Sequence, residues 1–379
     1  MATKKNGRRG NQEGTITHRE DGRWEARMSL SNGKRKSFYG ITKEEVTKKM
    51  RKAQQDVDAG LSIVSEKQTV GTYLKSWIEV KQHRIDASTL QRYEYYMRPI
   101  IEELGQVVLA KLTPYHIQHL HSSLLTKGWT TGTVGHAHGM FHAALKQAVR
   151  LGLVQRNVTD MVDPPKREEH EMKVLDGEQI RVLLNTVRDT WFEGVFYVVL
   201  STGLRAGEVF ALQWQDIDFA ARRMQVRRGW QRTSKKTFLT LPKTSHGRRS
   251  IALSQTAIDA LMRQQERLKQ ARVEVGDKWD TTHDLVFPGR TGKCYAYYAV
   301  SKKLLLPLLK RAGLPIVRFH DLRHTFATML IGKGVNIKVV SEMLGHANIG
   351  ITLSTYAHVL PHMQDSAAQV VDGVIGDVF

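Results

Sequence analysis

At 379 residues the chain is too long for one ordinary domain and suits two or three, the largest big enough to bury a substantial core. Its 57 lysines and arginines outnumber 37 acidic residues for a formal charge of +20, more than solubility asks of a domain, which points to a polyanion and first to nucleic acid. A single cysteine, Cys294, excludes an intrachain disulfide, and no run of about eighteen apolar residues exists to span a membrane, so a soluble chain in a reducing cytoplasm is expected.

The basic start MATKKNGRRG is followed by no apolar stretch and is not a secretory signal. Between Gly14 and Gly40, Asp21-Gly22 and Asn32-Gly33 separate β-prone stretches and predict three short antiparallel strands. Thr42 as N-cap, Glu45 three residues on and Gly60 as a stop predict one helix behind them. This basic tail, sheet and helix make an expected first domain over residues 1–64. Such a sheet can enter a DNA major groove through Arg23, Trp24, Arg27, Lys34 and Lys36, unless those charges only solvate its face.

Four segments between Val70 and Asn157 carry apolar residues at three-to-four spacing and predict a helical bundle, an expected second domain over 65–162. Thr113-Pro114 reads as a helix start and Gly152 as a helix stop. His136, His138 and His142 invite a metal reading, but the first two fall on different sides of a helix and no cysteine completes a set, so no metal is assigned. DPPKREEHEMKVL, residues 163–175, breaks helicity and reads as a linker.

Residues 176–379 form the largest expected unit. LDGEQIRVLLNTV predicts a helix beginning near Asp176, and WFEGVFYVVLSTGLRAGEVFALQWQDIDF an apolar helix, a Thr-Gly break and another helix. RRMQVRRGW, KTFLTLP and RRSIAL read as three short strands, with Lys243 at the turn into the third. Arg205 falls at the start of the second helix, where backbone N–H groups favour an anion, with Glu208 on the same face. HDLRHTFATML sets His320, Arg323 and His324 within about one helical turn, where like charges repel, and so has the look of an anion socket.

TGLRAGEVFALQWQDID, LPKTSHGRRSIAL, HDLRHTFATML and EMLGHANIGITLSTYAH follow one another in this order, and each resembles a signature segment of the tyrosine recombinases, the lambda-integrase-like family. The resemblance implies a multidomain, mainly α protein with small β-sheets: an N-terminal three-stranded sheet plus helix binding arm-type DNA sites, a helical SAM-like core-binding bundle, and a mixed α+β catalytic domain. It implies Arg205 and Arg323 on the scissile phosphate, Lys243 as the hairpin lysine, His320 and His346 as the two histidines, Tyr356 as nucleophile and Glu208 in support. His324 resembles a frequent companion and not a catalytic member. Implied partners are double-stranded core and arm sites, three further copies of the chain in a tetramer, and DNA-bending and excision-factor proteins. No cofactor is expected. The tail after His358 is implied to dock on a neighbouring protomer, or else on its own domain.

The chemistry follows from the residue types. Two guanidiniums stabilise charge on the non-bridging phosphate oxygens without a metal. A phenol with a pKa near 10 makes an ester that a sugar hydroxyl can attack without ATP. Lys243 would protonate the leaving 5′ oxygen, His320 would accept the phenol proton and His346 would bond a phosphate oxygen. Three alternatives compete. A metal nuclease would use Asp216 and Asp218, which sit where Asp commonly turns a chain. TFATMLIGKGVNIKVVSEMLGH also reads as the helix-turn-helix of a regulator, which would leave the six polar residues without a reason to occur together. A relaxing topoisomerase would have no use for the separate N-terminal sheet.

Overall fold

The computed structural model describes residues 14–29, 35–58, 68–168, 172–233, 237–241 and 247–356, together with 368–369, 371–373 and 375. The chain divides into two compact units, residues 1–169 and 170–379.

The first unit opens with strands β1 (Thr15–His18), β2 (Trp24–Ser29) and β3 (Arg35–Gly40), an antiparallel sheet in that order, backed by helix α1 (Lys43–Asp58). Thr42 caps α1 by accepting the Glu45 amide at 3.2 Å, while Glu45 returns the favour to the Ile41 amide at 3.0 Å. Register sets Arg27 opposite Ser37 and Glu25 opposite Tyr39 on one face, so Ala26 and Met28 are buried on the other, towards α1. The Asn32-Gly33 turn and Gly60 lie outside the described residues.

Helices α2 (Val70–Gln82), α3 (Ala87–Leu104), α4 (Pro114–Thr126) and α5 (Thr131–Arg150) pack around Trp77, Met97, Ile100, Phe141 and Leu145. Asp86 caps α3 through the Thr89 amide at 2.9 Å, and Thr130 caps α5 through Thr133 at 3.2 Å. At Thr113 the amide donates to His116 Nδ1 at 3.1 Å, closing the turn that Pro114 begins.

In the second unit α6 (Gly177–Val187) starts on a reciprocal Asp176–Gln179 cap, and α7 (Glu193–Thr202) is buried almost throughout. Gly203 ends α7 with φ +66°, and a Cβ there would fall 2.5 Å from Phe326 and 2.8 Å from Leu344, so only glycine lets the end of α7 press this close. The expected second helix is a single turn, α8 (Ala206–Val209). β4 (Ile217–Asp218), β5 (Arg223–Val226) and β8 (Arg249–Ala252) form one sheet in that order, while β6 (Gly229–Arg232) and β7 (Thr237–Thr240) make a separate ribbon. RRMQVRRGW is therefore two strands and not one. The chain breaks where Arg228 turns inward to Asp216, at 3.2 Å, and to Gln213, while Trp230 anchors the ribbon by donating to the Phe210 carbonyl at 2.8 Å.

α9 (Gln255–Val275), α10 (Leu306–Arg311), α11 (Phe319–Gly332), α12 (Ile337–Leu344) and α13 (Ile349–Tyr356) complete the unit. Its main core gathers Phe196, Phe210, Leu261, Phe287, Phe319 and Leu322, and a smaller cluster of Phe326, Ile331, Val340 and Leu344 encloses Tyr356. Among the described residues no helix is long and apolar enough to cross a membrane.

Candidate active site

Arg323 on α11 is only 2% exposed, a costly place for a charge unless every donor has a partner. Its Nη1 donates to the Gly203 carbonyl at 2.7 Å and its Nη2 to the Leu344 carbonyl at 2.6 Å. Both carbonyls stand at helix C-termini, of α7 and α12, where unpaired C=O groups and the negative end of the dipole favour a cation. Burial, and then the Arg205 charge, push the guanidinium down to about 9, still protonated at neutral pH.

Arg205 is the N-cap residue of α8. Its Nη1 meets Glu208 Oε1 at 2.9 Å, and its amide donates to Glu208 Oε2 at 3.0 Å. The amide that the sequence offered to an anion is thus occupied, and a four-residue helix has little dipole, so the anion-binding capacity lies in the side chain, which is 41% exposed. Glu208 also takes both Nη groups of Arg249, at 2.9 and 3.2 Å, and Arg249 Nε donates to the Met343 carbonyl at 2.6 Å. Burial would raise the Glu208 pKa, but the Arg249 hydrogen bonds, reinforced by the Arg249 and Arg205 charges, hold it at about 2.

His346 follows Gly345, whose φ of +67° ends α12, and its Nδ1 lies 2.7 Å from the buried Thr352 hydroxyl. Burial, then the charges of Arg323, Arg205 and Arg249, lower it to about 4. His320 keeps an exposed edge, yet the protein around it, then His324, Arg323 and Arg205, lower it in the same direction. His324 is lowered too, chiefly by burial. The three imidazoles are therefore neutral at pH 7, which removes the like-charge repulsion implicit in HDLRH. Tyr356 closes α13 at 1% exposure, its hydroxyl 2.9 Å from His324 Nδ1, and burial pushes the phenol up to about 12 against the opposing Arg323 charge.

Comparison with known proteins decides what this arrangement belongs to. A model of the phage integrase family matches residues 173–363, about half of the chain, and a model of the phage integrase N-terminal SAM-like domain matches 69–125. The chain belongs to the phage integrase family. It is 28% identical over 363 residues to a XerC-like tyrosine recombinase of Caldanaerobacter subterraneus, covering 90% of this chain and 93% of that protein. It is 25% identical over 269 residues to the ICEBs1 integrase of Bacillus subtilis, covering 70% and 72%. The fold is shared with the Tn1549 transposon integrase (TM-score 0.67, 22% identity, 76% of this chain and 94% of that one) and with lambda integrase (0.57, 16%, 92% and 95%). The protein is an integrase, a site-specific tyrosine recombinase that breaks and rejoins DNA strands.

Of the residues expected in the integrase site, Arg205, Glu208, His320, Arg323, His346 and Tyr356 converge, each within the electrostatic reach of others in the set. Lys243 and Lys34 lie outside the described residues, as do residues 357–367 of the tail. Two features went unforeseen: Arg249 as a third guanidinium, and His324, rather than His320, as the partner of Tyr356. Strand alternation carried a signal for the first, since Arg249 shares a face with buried Ile251. The second has only the four-residue spacing of His320 and His324, whose rings meet edge-on at 4.9 Å.

The N-terminal DNA contacts divide. Arg27 lies on the open sheet face and Arg23 in the β1–β2 turn, paired with Asp21 at 2.7 Å. Trp24 and Lys36 share a face with Ala26 and Met28, and Trp24 packs against His18 and the Lys43 ammonium of α1. Strand parity thus sets Trp24 and Lys36 on the face towards α1 and Arg27 on the opposite one. His138 pairs with His121 at 3.1 Å, His142 with Asp160 at 2.8 Å, and His136 meets Tyr96, so the three histidines serve separate contacts. Asp216 is tied to Arg228 and Asp218 to the Ala221 amide.

Proposed function

We propose that Tyr356 attacks the scissile phosphate to give a 3′-phosphotyrosine and a free 5′ hydroxyl, and that two rounds of exchange pass through a Holliday junction to integrate or excise a mobile element or phage genome. Arg205 and Arg323 hold the non-bridging oxygens, His320 and His346 add neutral donors, and Lys243 protonates the leaving oxygen. Glu208 fixes Arg205 in place. The observation that carries this reading is the fixed positive charge of Arg323, clamped between two helix ends within the field of Arg205 and Tyr356.

Double-stranded DNA is the proposed substrate. Structural neighbours support it: one Tn1549 integrase is in complex with transposon right end DNA, and a lambda integrase tetramer is bound to a Holliday junction. We take the chain as three modules, an arm-binding one over 1–64, a core-binding one over 65–162 and, after the 163–175 linker, the catalytic one over 176–379. It works as a tetramer, with accessory DNA-bending or excision proteins setting direction.

The test is a nicked duplex carrying the element's own end, incubated with the full chain and resolved under denaturing conditions. The parent gives a covalent protein–DNA band that persists in EDTA, and Tyr356→Phe gives none. A band of equal strength from Tyr356→Phe would refute the assignment.

A further inference from the structure

We propose that His324 is a catalytic residue: its Nδ1 takes the proton of Tyr356 as the phenol attacks and returns it when the strand is rejoined. The inference deepens the reading above and rests on Tyr356 being the nucleophile. Geometry carries it. The hydroxyl lies 2.9 Å from Nδ1, within the reach a general base needs. Tyr356 is enclosed by Phe326, Ile331, Val340 and Leu344, so the proton must pass to a protein group and not to bulk water. His320 meets this pair in a T-shaped contact with the His324 ring, 4.9 Å between centroids.

The surroundings explain when the base would act. Facing His324 are His320, Asp321 and Arg323 from its own helix, Arg318 from the N-cap of that helix, Tyr356 from α13 and His346 from the loop before it. With burial, the Arg323 and Arg318 charges keep the imidazole neutral and able to accept, while the buried Asp321 carboxylate favours the imidazolium once formed. A phosphate held by Arg205 and Arg323 offsets the Arg323 charge that bears on His324 and so raises its basicity. Before DNA arrives the phenol stays protonated and inert; substrate binding arms it. In the step, the Tyr356 O–H bond breaks toward Nδ1, the Oη–P bond forms and the P–O5′ bond breaks. The 5′ oxygen leaves with a proton from the acid assigned to Lys243, and rejoining reverses each change.

The test uses the full chain, the nicked duplex of the element's end, and the same duplex with sulfur replacing the bridging 5′ oxygen. A thiolate leaves without a proton, so this substrate excuses the general acid but not the base. Expected is a cleavage loss of about 10²–10⁴-fold for His324→Ala on both substrates, with DNA binding retained, whereas the sulfur duplex rescues Lys243→Ala. His324→Asn keeps an acceptor near the Nδ1 position but cannot titrate, so it lacks the acid-side fall in rate that the parent shows. The Asn variant also decides the matter if the Ala variant folds poorly. The proposal is overturned if His324→Ala cleaves within about threefold of the parent, if sulfur relieves its defect, or if His324→Asn restores the rate with the parental pH profile. Failure of Tyr356→Phe to abolish the adduct would instead sink the underlying assignment, whatever His324 does.

Discussion

The sheet of residues 15–40 and the cluster around Arg323 both display arginines, but they hold them in opposite ways. On the sheet, Arg27 makes two hydrogen bonds to Glu25, at 2.9 and 3.0 Å, while its side chain stays 54% exposed. Arg19 and Tyr39 share the same carboxylate, which is 3% exposed and held at about 2, chiefly by Arg27. Around Arg323 the guanidinium is enclosed and its partners are backbone carbonyls that cannot move away. Surface arginines on a carboxylate can trade it for a phosphate and are screened by salt; an enclosed one keeps its charge and position through a reaction. One arrangement suits binding and the other chemistry.

The comparison breaks first at Arg323. Arg323→Lys keeps a charge but loses the fork that spans two carbonyls, and single-turnover cleavage should fall by about 10²–10³-fold or more. A variant as fast as the parent would mean that the enclosed geometry is irrelevant. Arg249→Ala should follow. Removing one partner of Glu208 destabilises the fold by about 3 kcal/mol, and loosening the carboxylate that positions Arg205 slows cleavage by about 10–100-fold, measured by thermal melting and adduct formation. Unchanged melting would remove Arg249 from the scaffold.

A third effect separates the bundle from the site. His121 is buried and lowered to about 4, by desolvation first and then by His138. Its folded pKa lies below its unfolded value near 6.5, so stability is full above that pH, declines as pH falls towards 4 and is flat below. The loss should reach roughly 3 kcal/mol, and His121→Leu should shrink it in melting curves taken between those pH values. The smallest effect is expected at the sheet: Arg27→Ala should weaken arm-site binding a few-fold and reduce the salt slope by about one. Equal loss of cleavage on a duplex without arm sites would contradict the division of labour.

Much of this was legible in the sequence because it is local. Thr42, Asp176 and Gly203 mark helix ends through their own backbone neighbours, and the strand pattern of residues 15–40 is a period of two broken by Asp-Gly. The chemistry-bearing residues stood out as charges on otherwise apolar helices. What stayed hidden depends on distant partners. That Arg228 would divide a strand required knowing that Asp216 lies beneath it, and that α8 would stop after one turn required the Trp230 ribbon beside it. Arg249 gains its role from Glu208, forty-one positions away, and His324 from Tyr356, thirty-two positions away. Which face Trp24, Arg27 and Lys36 take was hidden too, because composition gives a strand its charge and only register gives that charge a side.

The most direct measurement is to locate the DNA on the chain. Residues 339–379 contain no lysine or arginine and a single tyrosine, Tyr356, so trypsin releases them as one fragment. Mass spectrometry of a digested covalent complex should find the nucleotide remnant on that fragment alone, attached through the phenolic oxygen. A remnant on any other fragment would contradict the account, as would a strand break that leaves no remnant and requires a divalent metal.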